Sequence, residues 1–167
     1  MEIFIRDISH INGKKEKRLF AHTLLNNILE QKIGKNFEII RPKNSKPYIK
    51  GNPVYFNLSH SKDLLAIGIA HFELGIDIEY MKKRDFATLS KHHFDIKIHD
   101  KVTFYKHWTE FEAGIKLHGL SIFNHKKLNP TYLQSMQIGN YMLSVATDNY
   151  FTLSTSSLEI DATAENI

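Results

Sequence analysis

The order of hydrophobic periodicities along the chain predicts an α+β fold of two pseudo-duplicated lobes, each a long helix packed on an antiparallel sheet. Three observations carry that expectation. Several short stretches alternate apolar and polar residues at the two-residue period of a strand. Two longer stretches repeat at helical spacing. Each half of the sequence offers one such helix with several strands, and no Pro-, Gly- or Ser-rich linker separates the halves. The expected lobes are residues 1–80 and 81–167.

Residues 2–8 alternate as a strand, with Ile3 and Ile5 on one side and Phe4 and Arg6 on the other. A polar turn at Asn12-Gly13 leads into the basic cluster Lys14, Lys15, Lys17 and Arg18. Phe20, Leu24, Leu25, Ile28, Leu29 and Ile33 then fall on one helical face, and Gly34 stops the helix. Residues 37–40 read as a short strand, and Pro42 and Pro47 punctuate a loop. Residues 54–58, 64–70 and 75–80 are strand-like and separated by short turns, so an antiparallel meander is expected. The polar, His-rich residues 82–100 suit a short helix and a loop, and residues 102–118 repeat as a helix that ends at Gly119. Residues 132–138, 141–147 and 150–155 alternate again around the turn signals Gly139-Asn140 and Asp148-Asn149, and the residues from Asp161 are expected to fray.

Composition removes several functional classes. The chain has 167 residues and no cysteine, which excludes disulfides, thiolate nucleophiles and Cys-based zinc sites. Its longest apolar run, at residues 64–70, is far too short to span a bilayer, and the N-terminus has no signal-peptide pattern, so a cytoplasmic protein with no membrane partner is expected. A net charge of +4 favours anionic partners, although composition alone is better matched by a mildly basic protein with no message in its charge. There is no Walker-A loop, no G-x-G-x-x-G, no H-E-x-x-H and no G-x-S-x-G elbow. Binding to nucleic acid would rest on charge and scattered aromatics alone and is not expected.

Three stretches concentrate chemistry. In Gly75-Ile76-Asp77-Ile78-Glu79 the two carboxylates share a strand face, where they repel unless a cation lies between them. Hard oxygen donors suit Mg²⁺ or Mn²⁺, while a half-buried strand with a wet face gives the same pattern. Trp108, Glu112 and Lys116 form a helical stripe, which is also the spacing of an ordinary exposed ion pair. Ala113 and Gly114 beside them leave the backbone bare for close approach. Ser59-His60-Ser61, expected at the end of a strand, combines hydroxyls, backbone N–H groups and an imidazole into an anion site, or makes a plain polar turn. A Ser-His-Asp triad is rejected, because neighbours in sequence rarely reach that geometry.

Read in order, these motifs resemble the 4′-phosphopantetheinyl transferases of the two-lobed, monomeric type, over roughly residues 45–120. The family's F-N-(L/I)-S-H-S looks like Phe56-Asn57-Leu58-Ser59-His60-Ser61, and its G-(I/V)-D-(I/V)-E looks like Gly75 to Glu79. Its W-x-x-K-E-A-x-x-K is similar to Trp108 to Lys116, with Phe111 in place of the first lysine, and its G-K-P is similar to Ser45-Lys46-Pro47. The resemblance implies transfer of 4′-phosphopantetheine from coenzyme A to a serine of an apo acyl or peptidyl carrier protein, at the interface of the lobes. It implies that Asp77, Glu79 and Glu112 hold Mg²⁺, or Mn²⁺ instead, and that Glu112 serves as base. Lys116 would bind the diphosphate. Lys46, Ser59 and His60, with Lys15, Arg18 and Thr23 more loosely, would contact the nucleotide. Phe111, and the lack of the family's usual glutamate after Phe94, leave a non-catalytic coenzyme A-binding or carrier-binding relative as the alternative.

Overall fold

In the computed structural model, which describes residues 1–43, 45–51, 53–119 and 130–160, the chain forms four layers. The first sheet has the order β4 (Tyr55–Ser61), β5 (Leu64–Ala70), β1 (Glu2–Asp7), β9 (Leu158–Ile160), and the second β6 (Leu74–Tyr80), β8 (Tyr141–Thr147), β7 (Tyr132–Ile138). One face of the first sheet carries helix α1 (Lys14–Ile33), through Leu25, Ile28 and Leu29. Its other face lies on the second sheet, whose far side carries helix α3 (Lys101–Leu117). Both sheets therefore bury both faces, and the strands show it. In β1 (Glu2–Asp7), Ile3 and Ile5 enter the core between the sheets while Phe4 faces α1. In β5 (Leu64–Ala70) every residue is buried, Leu64 and Ala66 between the sheets and Leu65, Ile67 and Ile69 under α1. A strand covered on both sides loses its alternation and reads as a continuous apolar run.

Two short strands, β2 (Ile39–Ile40) and β3 (Tyr48–Ile49), form a separate antiparallel ribbon. Helix α2 (Phe86–Phe94) is capped by Asp85 and α3 by Asp100, each accepting the N–H three residues on. The basic cluster expected ahead of the first helix is its first turns: Gly13 caps α1, and the apolar stripe starts only where the helix reaches the sheet.

The expected meander is only partly formed. β4 (Tyr55–Ser61) and β5 pair antiparallel, but β6 (Leu74–Tyr80) hydrogen-bonds to β8 (Tyr141–Thr147), which also pairs with β7 (Tyr132–Ile138). Pairing with β8 lets Ile76 and Ile78 join Tyr141, Leu143 and Val145 in the core between the sheets. Residues 150–155 do not form the expected strand. A 3₁₀ turn (Thr155–Ser157) leads instead to β9 (Leu158–Ile160), which adds to β1 in parallel and so makes the first sheet mixed. Leu158 and Ile160 pack on the intersheet core there, and Arg6 donates to the Glu159 carbonyl at 2.9 Å. The residues from Asp161, expected to fray, lie outside the described ones. Among the described residues no helix is long and apolar enough to cross a membrane.

Gly75 sets the distance between β6 and α3. A Cβ at this position would lie 1.9 Å from the Ala113 carbonyl oxygen and 2.4 Å from the Leu117 nitrogen, both backbone atoms that cannot rotate away. Gly75→Ala is expected to lift α3 from the sheet and to cost about 3 kcal/mol, as overpacking does, measured by urea unfolding of both proteins.

Candidate active site

Helix α3 and strand β6 run past each other with Gly75, Asp77 and Glu79 facing the helix. The Lys116 ammonium meets Asp77 Oδ1 at 2.6 Å, and the Ser59 hydroxyl donates to the same oxygen at 2.7 Å. Lys116 also donates to Ser59 Oγ at 2.9 Å, closing a triangle of three groups. Asp77 is only 4% exposed, and its second oxygen, Oδ2, is buried with no hydrogen-bond partner. A buried carboxylate oxygen without a partner is costly and marks a position where a ligand's charge would be felt.

Glu79 and Glu112 flank this centre. Burial, then the negative charge of Asp77, pushes the Glu112 carboxyl above its usual range, with Glu79 adding to the rise and Lys116 opposing it. Burial also raises Glu79, against the hydrogen bond from Ser61. Glu112 thus senses the charges of both other acids, and Glu79 senses that of Asp77. The three are hard oxygen donors, which suits a divalent cation, and the unpartnered Asp77 oxygen fits that chemistry. Among the described residues, no three His, Cys, Asp or Glu side chains are drawn in tightly enough to enclose an ion as they stand. Lys116 is the cation that meets Asp77 in this arrangement.

His60 is exposed on β4. Desolvation, with the positive charges of Lys17 and Lys116, lowers its pKa, which favours the neutral ring. The motif Ser59-His60-Ser61 is the end of β4 rather than a turn, because Ser59, His60 and Ser61 pair with Ala66, Leu65 and Leu64. Of the basic cluster, the structure brings Lys17 to this site. Arg18 lies with Arg41 near His22, both lowering that imidazole's pKa after burial, while Lys15 and Thr23 sit on exposed parts of α1. Lys46 is at the other end of β6, bound to Glu73 at 2.7 Å and to the Leu74 carbonyl at 2.6 Å. It lines a cavity of about 340 Å³ with Tyr48, Phe56, Leu117 and Gly119. A second cavity of about 150 Å³ opens beside Glu79, walled by Arg84, His93, Tyr105 and Trp108. Phe111 meets Phe94 edge to face at 5.6 Å between centroids.

Sequence reasoning placed Lys17 in a basic cluster and Ser61 in an anion site without the contacts they make here, and gave Asn57 no role of its own. Asn57 Oδ1 accepts from the Ile76 N–H at 3.1 Å, and Ser61 Oγ accepts from the Tyr80 N–H at 3.0 Å. β4 and β6 therefore lie side by side in parallel, connected by side chains rather than a backbone ladder. The signal was present as polar residues at every second position of the strand, at Asn57, Ser59 and Ser61.

These motifs are similar to those of the 4′-phosphopantetheinyl transferases, a class of enzymes. The chain is a homologue of proteins of that name. It is 29% identical, over 93% of its own length and 87% of the relative's, to the 4′-phosphopantetheinyl transferase AcpT of Escherichia coli O157:H7. It is 28% identical to the AcpT of Salmonella typhi over 72% of each chain. To a putative 4′-phosphopantetheinyl transferase of Haemophilus influenzae it is 32% identical over 70% of this chain and 56% of that one. No protein-family model matches the chain.

Two outcomes follow from this geometry. Lys116→Ala leaves Asp77 buried without its cation and is expected to cost about 3 kcal/mol, as breaking such a pair does. Adding Asp77→Asn in the same chain should recover much of the loss, with both read from denaturant unfolding. Glu112→Gln should raise Tm by a few degrees at pH 7 without divalent ions. A carboxyl whose folded pKa lies above its unfolded value destabilises the fold at high pH, and that cost fades as pH falls through the raised value toward the ordinary 4.5. The gain from Glu112→Gln should therefore vanish in acid, as measured by calorimetry across pH.

Proposed function

We propose that this protein transfers the 4′-phosphopantetheine group of coenzyme A to a serine hydroxyl of an apo acyl or peptidyl carrier protein, releasing 3′,5′-ADP. The observation that carries the reading is the Lys116–Asp77 pair bridging α3 and β6, with the second Asp77 oxygen unpartnered and Glu79 and Glu112 near enough to be shifted by the Asp77 charge. The names of the relatives support it along nearly the whole chain.

An elongated substrate fits the layout. Along β6 and α3 the larger cavity, the acids and the smaller cavity follow in order. The larger one would take the adenosine end, with Lys46 at its wall. His60 and Lys17 would face the nucleotide phosphates, and Arg18, with Lys15 further out, would extend the positive field. Asp77, Glu79 and Glu112 would hold Mg²⁺, with Mn²⁺ as a substitute, and the bound ion would supply positive charge to the diphosphate.

In the reaction, the carrier serine oxygen attacks the phosphorus next to pantetheine, and the bond from that phosphorus to the bridging oxygen breaks. Glu112 takes the serine proton, directly or through water. Lys116 turns from Asp77 toward the diphosphate and stabilises the negative charge that grows on the departing 3′,5′-ADP. Phe111 puts an aromatic ring where the family carries a lysine, and Lys116 supplies the remaining cation. The protein would act as a cytoplasmic monomer, where coenzyme A and unmodified carriers meet.

Incubation with coenzyme A, Mg²⁺ and a panel of apo carrier domains should add one phosphopantetheine to at least one carrier, seen by intact mass. Glu112→Ala and Asp77→Ala should each lower the rate at least about a hundredfold, the scale of losing a positioned general base. Tight coenzyme A binding with no product on any carrier would instead select the non-catalytic relative.

A further inference from the structure

Ser61 is used twice by the fold, and neither use is needed to pair β4 with β5. Its oxygen accepts the Tyr80 N–H at 3.0 Å, and its hydroxyl donates to Glu79 Oε2 at 2.6 Å. Accepting a backbone N–H at one lone pair fixes the direction in which the hydroxyl proton can point, and the Glu79 carboxylate lies in that direction. The turn that follows holds Ser61 still. Lys62 adopts a left-handed conformation with φ 51°, which costs a non-glycine residue energy unless its surroundings enforce it. Those surroundings are visible. Lys17 donates to the Lys62 carbonyl at 2.7 Å, and the Ile8 N–H donates to the Asp63 carbonyl at 2.7 Å. The Lys62 ammonium lies 4.2 Å above the Tyr80 ring, which packs edge to face on Tyr141.

Glu79 needs such support. It is half-buried at the end of β6, next to the charge of Asp77, and repulsion would turn a free carboxylate away toward solvent. The two serines of the motif therefore divide the work: Ser59 is committed to Asp77 and Lys116, and Ser61 to Glu79.

We propose that Ser61 is a positioning residue that holds the Glu79 carboxylate at the acidic centre and thereby sets the affinity for the divalent cation. This rests on the metal assignment given under the proposed function. Groups that orient a ligand of this kind typically contribute 10–100-fold in metal affinity.

The test compares Ser61→Thr with Ser61→Val, two side chains of nearly equal shape that differ in the hydroxyl, in the full-length protein. Free Mn²⁺ is counted by electron paramagnetic resonance in the presence of coenzyme A, and coenzyme A binding is measured by calorimetry with and without Mg²⁺. The Thr variant should bind Mn²⁺ like the wild type, and the Val variant about tenfold more weakly. Coenzyme A binding without metal should be equal in both. Equal Mn²⁺ affinity in the two variants would overturn the role of Ser61 while leaving the metal assignment intact. Absence of coenzyme A-dependent Mn²⁺ binding in the wild type would overturn both. A Val variant that unfolds where the Thr variant stands would show that the hydroxyl serves the fold instead, and would also overturn the proposal.

Discussion

Asp77 carries a carboxylate into a place where it is 4% exposed, at the line where two sheets and a helix meet. Taking that charge out of water is expensive, and its cost is offset on one oxygen only, by Lys116 from α3 and Ser59 from β4. The other oxygen accepts no hydrogen bond among the described residues. The surrounding structure follows from this half-satisfied group. Gly75 must be bare so that α3 comes close enough for Lys116 to reach, and Ala113 and Ala146 are small at the same contact. β4 must lie alongside β6 so that Ser59 reaches from the other side.

The way β4 lies there is itself unusual. β6 is an edge strand, and its outward N–H groups would ordinarily need another strand or water. Asn57 and Ser61 take two of them with side-chain oxygens, so the edges of the two sheets join without a ladder. A backbone ladder would have left those side chains free to point elsewhere. The side-chain connection makes the residues that close the seam the same ones that fix the acids.

Stability and the proposed chemistry pull in opposite directions at Glu79 and Glu112. Burial and the charge of Asp77 raise both carboxyls, so each ionised acid weakens the fold at neutral pH. The same environment makes Glu112 more basic and leaves the centre in need of positive charge. Destabilisation concentrated at a reactive centre and compensated by a packed scaffold is a common arrangement in enzymes. Here the compensation is a core in which both sheets are covered on both faces.

The elements and the chemical inventory were legible in the local amino-acid pattern. Two-residue alternation marked β1, β7 and β8, the helical repeat marked α1 and α3, and Asp77, Glu79, Glu112 and Lys116 stood at spacings that put them on shared faces. Local periodicity encodes which way a side chain points relative to its own strand or helix, so this much is legible without a fold. Tertiary structure decided which strands became neighbours. β6 left the expected meander for β8, and β9 returned to β1, because burial of Ile76, Ile78, Leu158 and Ile160 between the sheets depends on residues distant in sequence. It also decided that Lys17 rather than Lys15 stands near His60, that Lys46 is bound to Glu73, and that Ser61 holds Glu79. Each of these depends on where two separately encoded surfaces meet, which neither surface specifies alone.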